Sequence, residues 1–234
     1  EMAIALVIGQ KAVADTDGTT GTTLGVAFPG NTTTGNLIVV NTGNGDSDNT
    51  NAVDSVACTG ATFSINQAQQ WSTTPDQRVD GHYAKNITGA ATPTVTATWS
   101  PAVGWRHIHI SEWSGADTTA PLDKTGSGTG NGTTYTTSSQ TTTTDGQLIY
   151  VAEGNGSSPT VGTAPDFTQL SIGTNYGNYS EYLIQAAAGA IVGEVNGGST
   201  DYVTIMMTFK EAAAAPVLPR PLQSNNRITL MRSG

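Results

Sequence analysis

The chain has 234 residues, of which 12% are charged and 36% are hydrophobic, and its formal net charge is −9. This length fits one large β domain or two small ones, and the composition excludes a coiled coil, which needs abundant Ala, Glu, Lys, Leu and Arg. No run approaches the ~18 apolar residues of a membrane-spanning helix, and an acidic chain repels phosphate backbones, so we expect neither a membrane nor a nucleic-acid partner.

Alternation of apolar and polar residues dominates the chain as far as Lys210. Residues 94–99, 106–110 and 202–209 have the period of two that is typical of half-buried antiparallel strands. Clusters of Gly, Asn, Asp and Ser separate the strands, at residues 43–46, 126–132, 154–156 and 196–198. Because Asn and Gly adopt positive φ at low cost, these clusters predict turns.

An internal repeat divides the chain. Residues 35–40 match residues 146–151, residues 82–90 parallel 181–189, and each half closes on a long alternating strand, at 105–113 and at 201–210. Related halves of four to five strands predict an all-β fold, a two-sheet antiparallel sandwich of jelly-roll or Greek-key type. We expect residues 1–210 to form this one domain around a shared core, since neither half offers enough apolar strands for two packed sheets.

The composition changes after Lys210. Residues 1–210 hold six basic and seventeen acidic groups, a balance of −11, whereas the last 24 residues hold three Arg and one Glu, a balance of +2. Residues 211–234 are predicted to be an Ala/Pro spacer followed by an extended C-terminal arm that orders only on a partner. The candidate assembly residues of the arm are Arg220, Arg227, Ile228, Leu230 and Arg232.

Three short patterns carry a resemblance to a known family. They are Gly-Asn-Leu-Ile-Val at residues 35–39, Tyr-Ala-Lys at residues 83–85, and Glu-x-Ser-Gly-x-Asp at residues 112–117. Together they resemble a jelly-roll-like β-sandwich module of phage structural proteins and bacterial surface proteins, over roughly residues 20 to 210. The resemblance implies a β-sandwich, and it implies no catalytic residues, because the same sandwich serves many unrelated roles.

The strand at residues 105–113 carries the richest set of candidate binding residues. Alternation places Trp105, His107, His109 and Trp113 on one face and the isoleucines on the other. If the isoleucines face the core, the Trp/His face is exposed or lies in an interface. We expect it to pack on a sheet or subunit; the alternative is a glycan platform that also uses Trp71. A zinc site would need a third or fourth ligand, so we expect no metal here.

One loop imitates a calcium-binding sequence. Asp46, Asp48 and Asp54 have part of the required spacing, but Asn51 stands where the loop needs glycine. We therefore interpret the loop as a solvated acidic segment that is a weak calcium candidate. Cys58 is the only cysteine, which excludes an intrachain disulfide, and we interpret it as a small strand residue. No cofactor is expected.

Carboxylates are the main candidates for catalysis. Glu112, Glu153, Glu181 and Glu194 lie in or near predicted strands, where a pair ~5–9 Å apart could serve a glycosidase as acid and base. Glu112 belongs to the corner pattern, so a structural hydrogen bond is expected for it. None of the common nucleophile, phosphate-loop or dinucleotide motifs is present in the sequence, and we expect no enzyme.

These observations favour a non-enzymatic structural protein of a phage or virus-like particle, located on a virion or an extracellular surface. It would be a decoration, fibre or tail-associated protein that forms homo-oligomers and contacts neighbouring particle subunits through its C-terminal arm. The absence of a basic leader before the apolar run at residues 2–8 contributes to this expectation. The alternative is a carbohydrate-binding module of a secreted bacterial protein; a glycoside hydrolase or lyase is a third possibility.

Overall fold

A computed structural model describes residues 3–45, 51–73, 76–154, 159–162, 166–175 and 177–213. Their regular elements are all β-strands. The first half contains β1 (Ala5–Asp15), β2 (Gly21–Ala27), β3 (Leu37–Asn44), β4 (Ser55–Ala57), β5 (Phe63–Thr73), β6 (Asp76–Ala84), β7 (Thr94–Val103) and β8 (His107–Ser114). The second half contains β9 (Leu122–Thr136), β10 (Gln140–Thr141), β11 (Gln147–Glu153), β12 (Thr160–Val161), β13 (Thr168–Ile172), β14 (Tyr179–Gln185), β15 (Ala190–Ile191) and β16 (Glu194–Phe209).

The first half has jelly-roll connectivity. Its larger sheet, here called the first inner sheet, has the antiparallel order β1-β8-β3-β6-β5, and its smaller sheet, the first outer sheet, has the order β2-β7-β4. The pairs β1·β8, β2·β7 and β3·β6 are those made when an eight-strand chain folds back on itself and wraps into two facing sheets. The predicted all-β antiparallel sandwich is therefore confirmed.

The second half repeats this connectivity eight strands later. The second inner sheet has the order β9-β16-β11-β14-β13, and β10 pairs with β15 as a small second outer sheet. The repeated sequences at residues 35–40 and 146–151 form the equivalent strands β3 and β11. One strand departs from the pattern: β4 pairs with β7, whereas β12 pairs with the start of β16.

The two inner sheets pack face to face. β1 lies against β13 while β5 lies against β9, so the halves meet through equivalent elements, as the subunits of a symmetric dimer do. Trp113 meets Tyr182 edge to face at 4.9 Å between ring centroids, and Tyr83 meets Phe209 at 5.5 Å. Both halves contribute to this buried apolar cluster, whose members include Leu37, Val39, Tyr83, Trp113, Leu148, Tyr150, Ile205, Met207 and Phe209.

Each inner sheet is also covered on its other face. Ile38, Val40, Ile108 and Ile110 pack under the first outer sheet, and a third cluster that includes Tyr179 and Met206 fills the second half. Both halves contribute to the cluster between the inner sheets, and each half also has an apolar cluster under its own outer layer. Thr-rich strands such as β7 bury only every second residue, and that is enough to form an outer layer.

No α-helix long and apolar enough to cross a membrane occurs in the described part of the chain.

Candidate functional site

The face of β8 that carries the candidate residues lies between the two inner sheets. Alternation places His107, His109 and Trp113 on one face, as predicted, but all three are buried with no exposed surface. Of the two arrangements considered for this face, exposed or in an interface, the structure has the second, because the second half covers the face. The interface that they occupy joins the two halves of one chain.

His109 is the centre of a polar network across this interface. Its Nε2 lies 2.6 Å from Oδ1 of Asn178, and its Nδ1 lies 2.5 Å from Oγ of Ser171 and 3.1 Å from Oγ of Ser180. Since an amide oxygen only accepts, Nε2 carries the proton and Nδ1 accepts from a serine hydroxyl. Burial lowers the pKa of His109 to about 4, so the ring is neutral.

Two further contacts extend the network. Asn178 Nδ2 donates to the carboxylate of Asp15 at 3.4 Å, and the same carboxylate accepts from the backbone N–H of Asn175 at 2.8 Å. Nearby, the hydroxyl of Tyr150 donates to the side-chain oxygen of Asn41. These polar groups tie β1 and β3 of the first half to β11 and the β13–β14 turn of the second.

His107 occupies a fully buried site beside His109. The two rings meet edge to face at 5.7 Å, and neither ring nitrogen of His107 has a hydrogen-bond partner among the described residues. Burial holds its pKa well below the usual range, with a further contribution from His109. A Cβ at Gly43 would collide with this ring and with the Arg78 carbonyl, so the glycine is required by the close approach.

The two partly exposed tryptophans lie at the end of the first inner sheet where β3 finishes. Trp105 is 37% exposed and precedes β8, with its backbone N–H donating to the Asp17 carbonyl. Trp71, on β5, is 47% exposed, and the Arg78 guanidinium lies 5.1 Å from its ring centroid. Three strand spacings separate β8 from β5, roughly 14 Å. The row of tryptophans proposed for a glycan platform is thus broken, because Trp113 is buried and the other two are far apart.

Sequence reasoning missed a second buried polar cluster, on the opposite face of the first inner sheet. The Arg78 guanidinium Nε lies 2.8 Å from an Asp80 oxygen, and Thr42 Oγ1 lies 2.8 Å from His82 Nε2. Burial raises the pKa of Asp80 to about 6, against the opposing effect of Arg78, and lowers the pKa of His82 to about 3. The alternation of polar residues at positions 78, 80 and 82 is the sequence signal that could have predicted this cluster.

Glu112 has the structural role that was expected of the corner pattern. Its Oε1 accepts from the backbone N–H of Thr33 at 2.7 Å and from Nδ2 of Asn36 at 2.7 Å. Asp117, at the end of the pattern, accepts from the backbone N–H groups of Thr119 and Ala120. Glu112 therefore holds the β2–β3 loop, and Asp117 shapes the connection between the halves.

The other candidate carboxylates lie in the second half. Glu153 and Glu181 are buried on the outer face of the second inner sheet, where Glu153 pairs with Tyr179. Glu181 Oε2 accepts from the backbone N–H of Gly162 at 3.1 Å. Burial, reinforced by Glu194, raises the pKa of Glu181 to about 8, so this carboxyl is protonated at neutral pH. A raised carboxyl pKa is typical of catalytic acids and of buried structural groups alike.

The weak calcium candidate is reduced to Asp54, which is exposed; Asp46 and Asp48 lie outside the described residues. Within the described ranges, no three His, Cys, Asp or Glu side chains are grouped to hold a metal ion. Cys58 follows β4 in an isolated bridge to Ala61, and burial raises the pKa of its thiol.

The chain that leads to the C-terminal arm is attached to the connection between the halves. Asp117 N–H donates to the Lys210 carbonyl at 2.9 Å, and Ala212 N–H donates to the Gly115 carbonyl at 2.8 Å. The described chain ends at Ala213, beside a pocket that also contains Asp117, Asp145 and Glu211. The candidate assembly residues of the arm, Arg220, Arg227, Ile228, Leu230 and Arg232, lie outside the described residues.

Comparisons of the chain with protein-family models, with curated proteins and with solved structures found no match.

Proposed function

We propose that this chain is a non-enzymatic structural protein of a phage or virus-like particle, which assembles with further copies through its C-terminal arm. The observation that carries the proposal is the anchored exit of the arm. Backbone hydrogen bonds attach Lys210 and Ala212 to residues 115–117, which connect the two halves, so the last described residues before the arm are fixed to the body.

The burial of the candidate reactive groups supports the same proposal. His107, His109, Glu112 and Glu181 have no exposed surface, and three of the four accept or donate hydrogen bonds that hold strands together. Among them, His109 hydrogen-bonds to the other half, and a buried polar network of this kind helps to specify one arrangement of the two halves. In a structural protein, these buried polar residues determine how the strands and the two halves are arranged.

Charge supports the arm as the assembling element. The body has a balance of −11 over residues 1–210 and the last 24 residues have a balance of +2. Opposite charges on two surfaces favour their encounter. A basic arm on one copy is therefore suited to the acidic body of the next.

The test compares the mass of the intact chain with that of the chain ending at Ala213, by light scattering at matched concentrations. The proposal expects an oligomer for the intact chain and a monomer for the shortened one, with equal urea-unfolding midpoints as the control for folding. An intact chain that is monomeric, or a shortened chain that forms the same oligomer as the intact one, would refute the proposal.

A carbohydrate-binding module is the second candidate, favoured by the exposure of Trp71 and Trp105. Each ring could stack on one sugar, since the separation of their strands prevents a joint platform. A polysaccharide pull-down with Trp105→Ala and Trp71→Ala distinguishes the two functions: loss of binding in either variant favours the module, and no binding by the intact chain excludes it.

A further inference from the structure

An apolar groove lies on the second half between β14 and β15. Its volume is about 590 Å3, and its lining includes Leu183, Ile184, Ala186, Ala190 and Ile191, with Asp166 as its one carboxylate. Ala186 and Ala190 are exposed to solvent. A groove with this lining is suited to apolar side chains accompanied by a positive charge.

The first half shows what occupies an equivalent place. There β7 pairs on one edge with β2 and on the other with β4, which buries Val56 between exposed Ser55 and Ala57. In the second half β15, the equivalent of β7, pairs with β10, and no described strand pairs with its other edge, since β12 pairs with β16. Among the described residues, the second half therefore has no counterpart of β4 at this edge.

The backbone of β15 is arranged to accept such a strand. Thr142 N–H donates to the Gly189 carbonyl at 3.0 Å, and Thr141 stands opposite Ala190. Antiparallel pairs alternate between bonded and non-bonded positions, so the N–H and C=O of Ala190 point away from β10. An extended segment can add to an edge of this kind through main-chain hydrogen bonds while its alternate side chains fill the groove.

The sequence of the C-terminal arm is suited to the open edge of β15. Arg-Ile-Thr-Leu-Met-Arg at residues 227–232 alternates Ile228 and Leu230 around Thr229, between two arginines. Ile, Thr and Leu pack well in a short strand, and the arginines complement Asp166 and the acidic body. The equivalent strand β4 also supplies a branched apolar residue, Val56.

The spacer favours the groove of another copy over that of the same chain. Ala213 shares a pocket with Asp145, whose carboxylate accepts from the N–H of Ala188, two residues before Ala190. The exit of the arm is thus beside its own groove. Pro216, Pro219 and Pro221 favour an extended spacer, and eight steps at ~3.1 Å give it a reach of roughly 25 Å, which suits the groove of a second copy.

We infer that residues 227–232 of one copy add as a strand to the open edge of β15 in a second copy, with Ile228 and Leu230 in the groove between β14 and β15. The inference rests on the proposed assembly through the arm and names the surface that receives it.

Cross-linking of two full-length variants tests the inference. One chain carries Ala190→Cys and 15N label, the other carries Thr229→Cys without label, and both carry Cys58→Ser to remove the native thiol. The two are mixed, treated with a short bis-maleimide and analysed by mass spectrometry. Ala187→Cys replaces Ala190→Cys as the control, because Ala187 is exposed in the same turn but does not line the groove.

The expected result is a mixed dimer linked through residues 190 and 229, at least fivefold more abundant than the dimer formed with Ala187→Cys. Equal yields from the two positions, or the absence of a mixed dimer linked through residues 190 and 229, would overturn the inference. Light scattering on the same chains without cross-linker distinguishes failure of this docking surface from failure of the proposed function. An oligomer without the 190–229 link leaves assembly intact and refutes this docking surface, whereas a monomer refutes the proposed function itself.

Discussion

His109 and Asn178 form a hydrogen bond between the two halves of the chain, with 2.6 Å between the imidazole Nε2 and the amide oxygen. Both residues are buried, and the second ring nitrogen is occupied by serine hydroxyls. The bond fixes the tautomer of the histidine and the position of β8 relative to β14. This hydrogen bond explains why His109, on a strand whose Trp/His pattern is that of a binding face, contributes to the packing of the two halves.

We predict that His109→Ala destabilises the protein by about 2–4 kcal/mol, because it leaves a cavity and deprives Asn178 and Ser180 of a partner. The free energy of unfolding in urea is the measurement. Ser171→Ala is the matched control, since it removes one hydroxyl at the partly exposed end of the same network, and it should cost about 1 kcal/mol. Equal effects of the two variants would contradict the role given to His109.

We predict that stability falls as the pH is lowered below about 6. Burial depresses the folded-state pKa of His82 to about 3 and of His109 to about 4, and that of His107 also lies well below 6.5. The unfolded chain therefore binds three more protons on histidine below pH 6.5. Asp80 and Glu181, whose pKa values are raised, bind two in the folded state. The net difference is one proton, about 1.4 kcal/mol per pH unit.

Urea unfolding at half-unit steps between pH 7 and pH 4.5 checks this slope. A free energy of unfolding that stays constant or increases over that range would show that the histidines are not held neutral in the folded protein.

We predict the opposite trend on the alkaline side, caused by Glu181. Its folded pKa of about 8 lies above the unfolded value near 4.5, so its contribution is fully present below pH 4.5 and is lost as the pH rises through 8. Glu181→Gln removes the titration. Between pH 6 and pH 9 the variant should lose about 2–3 kcal/mol less than the parent chain; parallel pH profiles for the two proteins would disprove the assignment.

We predict that two tryptophans of the same strand region differ in their effect on stability. Trp113 is fully buried against Tyr182, so Trp113→Ala should cost about 3–5 kcal/mol. Trp105 is 37% exposed, and Trp105→Ala should cost about 1 kcal/mol, because Trp105 buries less apolar surface than Trp113 does. Thermal unfolding of both variants measures the difference, and the reverse order would contradict the arrangement of β8.

Much of the fold follows from the sequence. The repeated segments at residues 35–40 and 146–151 become the central strands β3 and β11, and the alternation at 202–209 lies within β16. Period-two patterns and Asn-Gly turns depend on local geometry, which one chain segment carries by itself. A structural hydrogen bond of Glu112 was predicted from the corner pattern, but its partners Thr33 and Asn36 lie more than seventy residues away and were not predicted.

Packing of the Trp/His face on another surface was expected, but that this surface is the second half of the same chain could not be predicted. Antiparallel strands with one polar face commonly leave that face in water, and a face that carries His107 and His109 is polar enough to be exposed in this way. Whether a second sheet covers the face depends on Ser171, Asn178 and Ser180, which are more than sixty residues away in the sequence and carry no pattern. The additional outer layers were missed because strands such as β2 and β7 are rich in Thr and Gly and contribute few large apolar residues.

The most direct test of assembly through the arm is sedimentation equilibrium of the full-length chain with Ile228→Asp and Leu230→Asp, beside the parent chain and a Ser224→Asp, Ser233→Asp control. Both variants add two negative charges, but only the first removes the apolar side chains that we place in the contact. The account predicts an oligomer for the parent and the control, and a monomer for the Ile228/Leu230 variant over the same range of concentration. An Ile228/Leu230 variant that associates as tightly as the parent would contradict it.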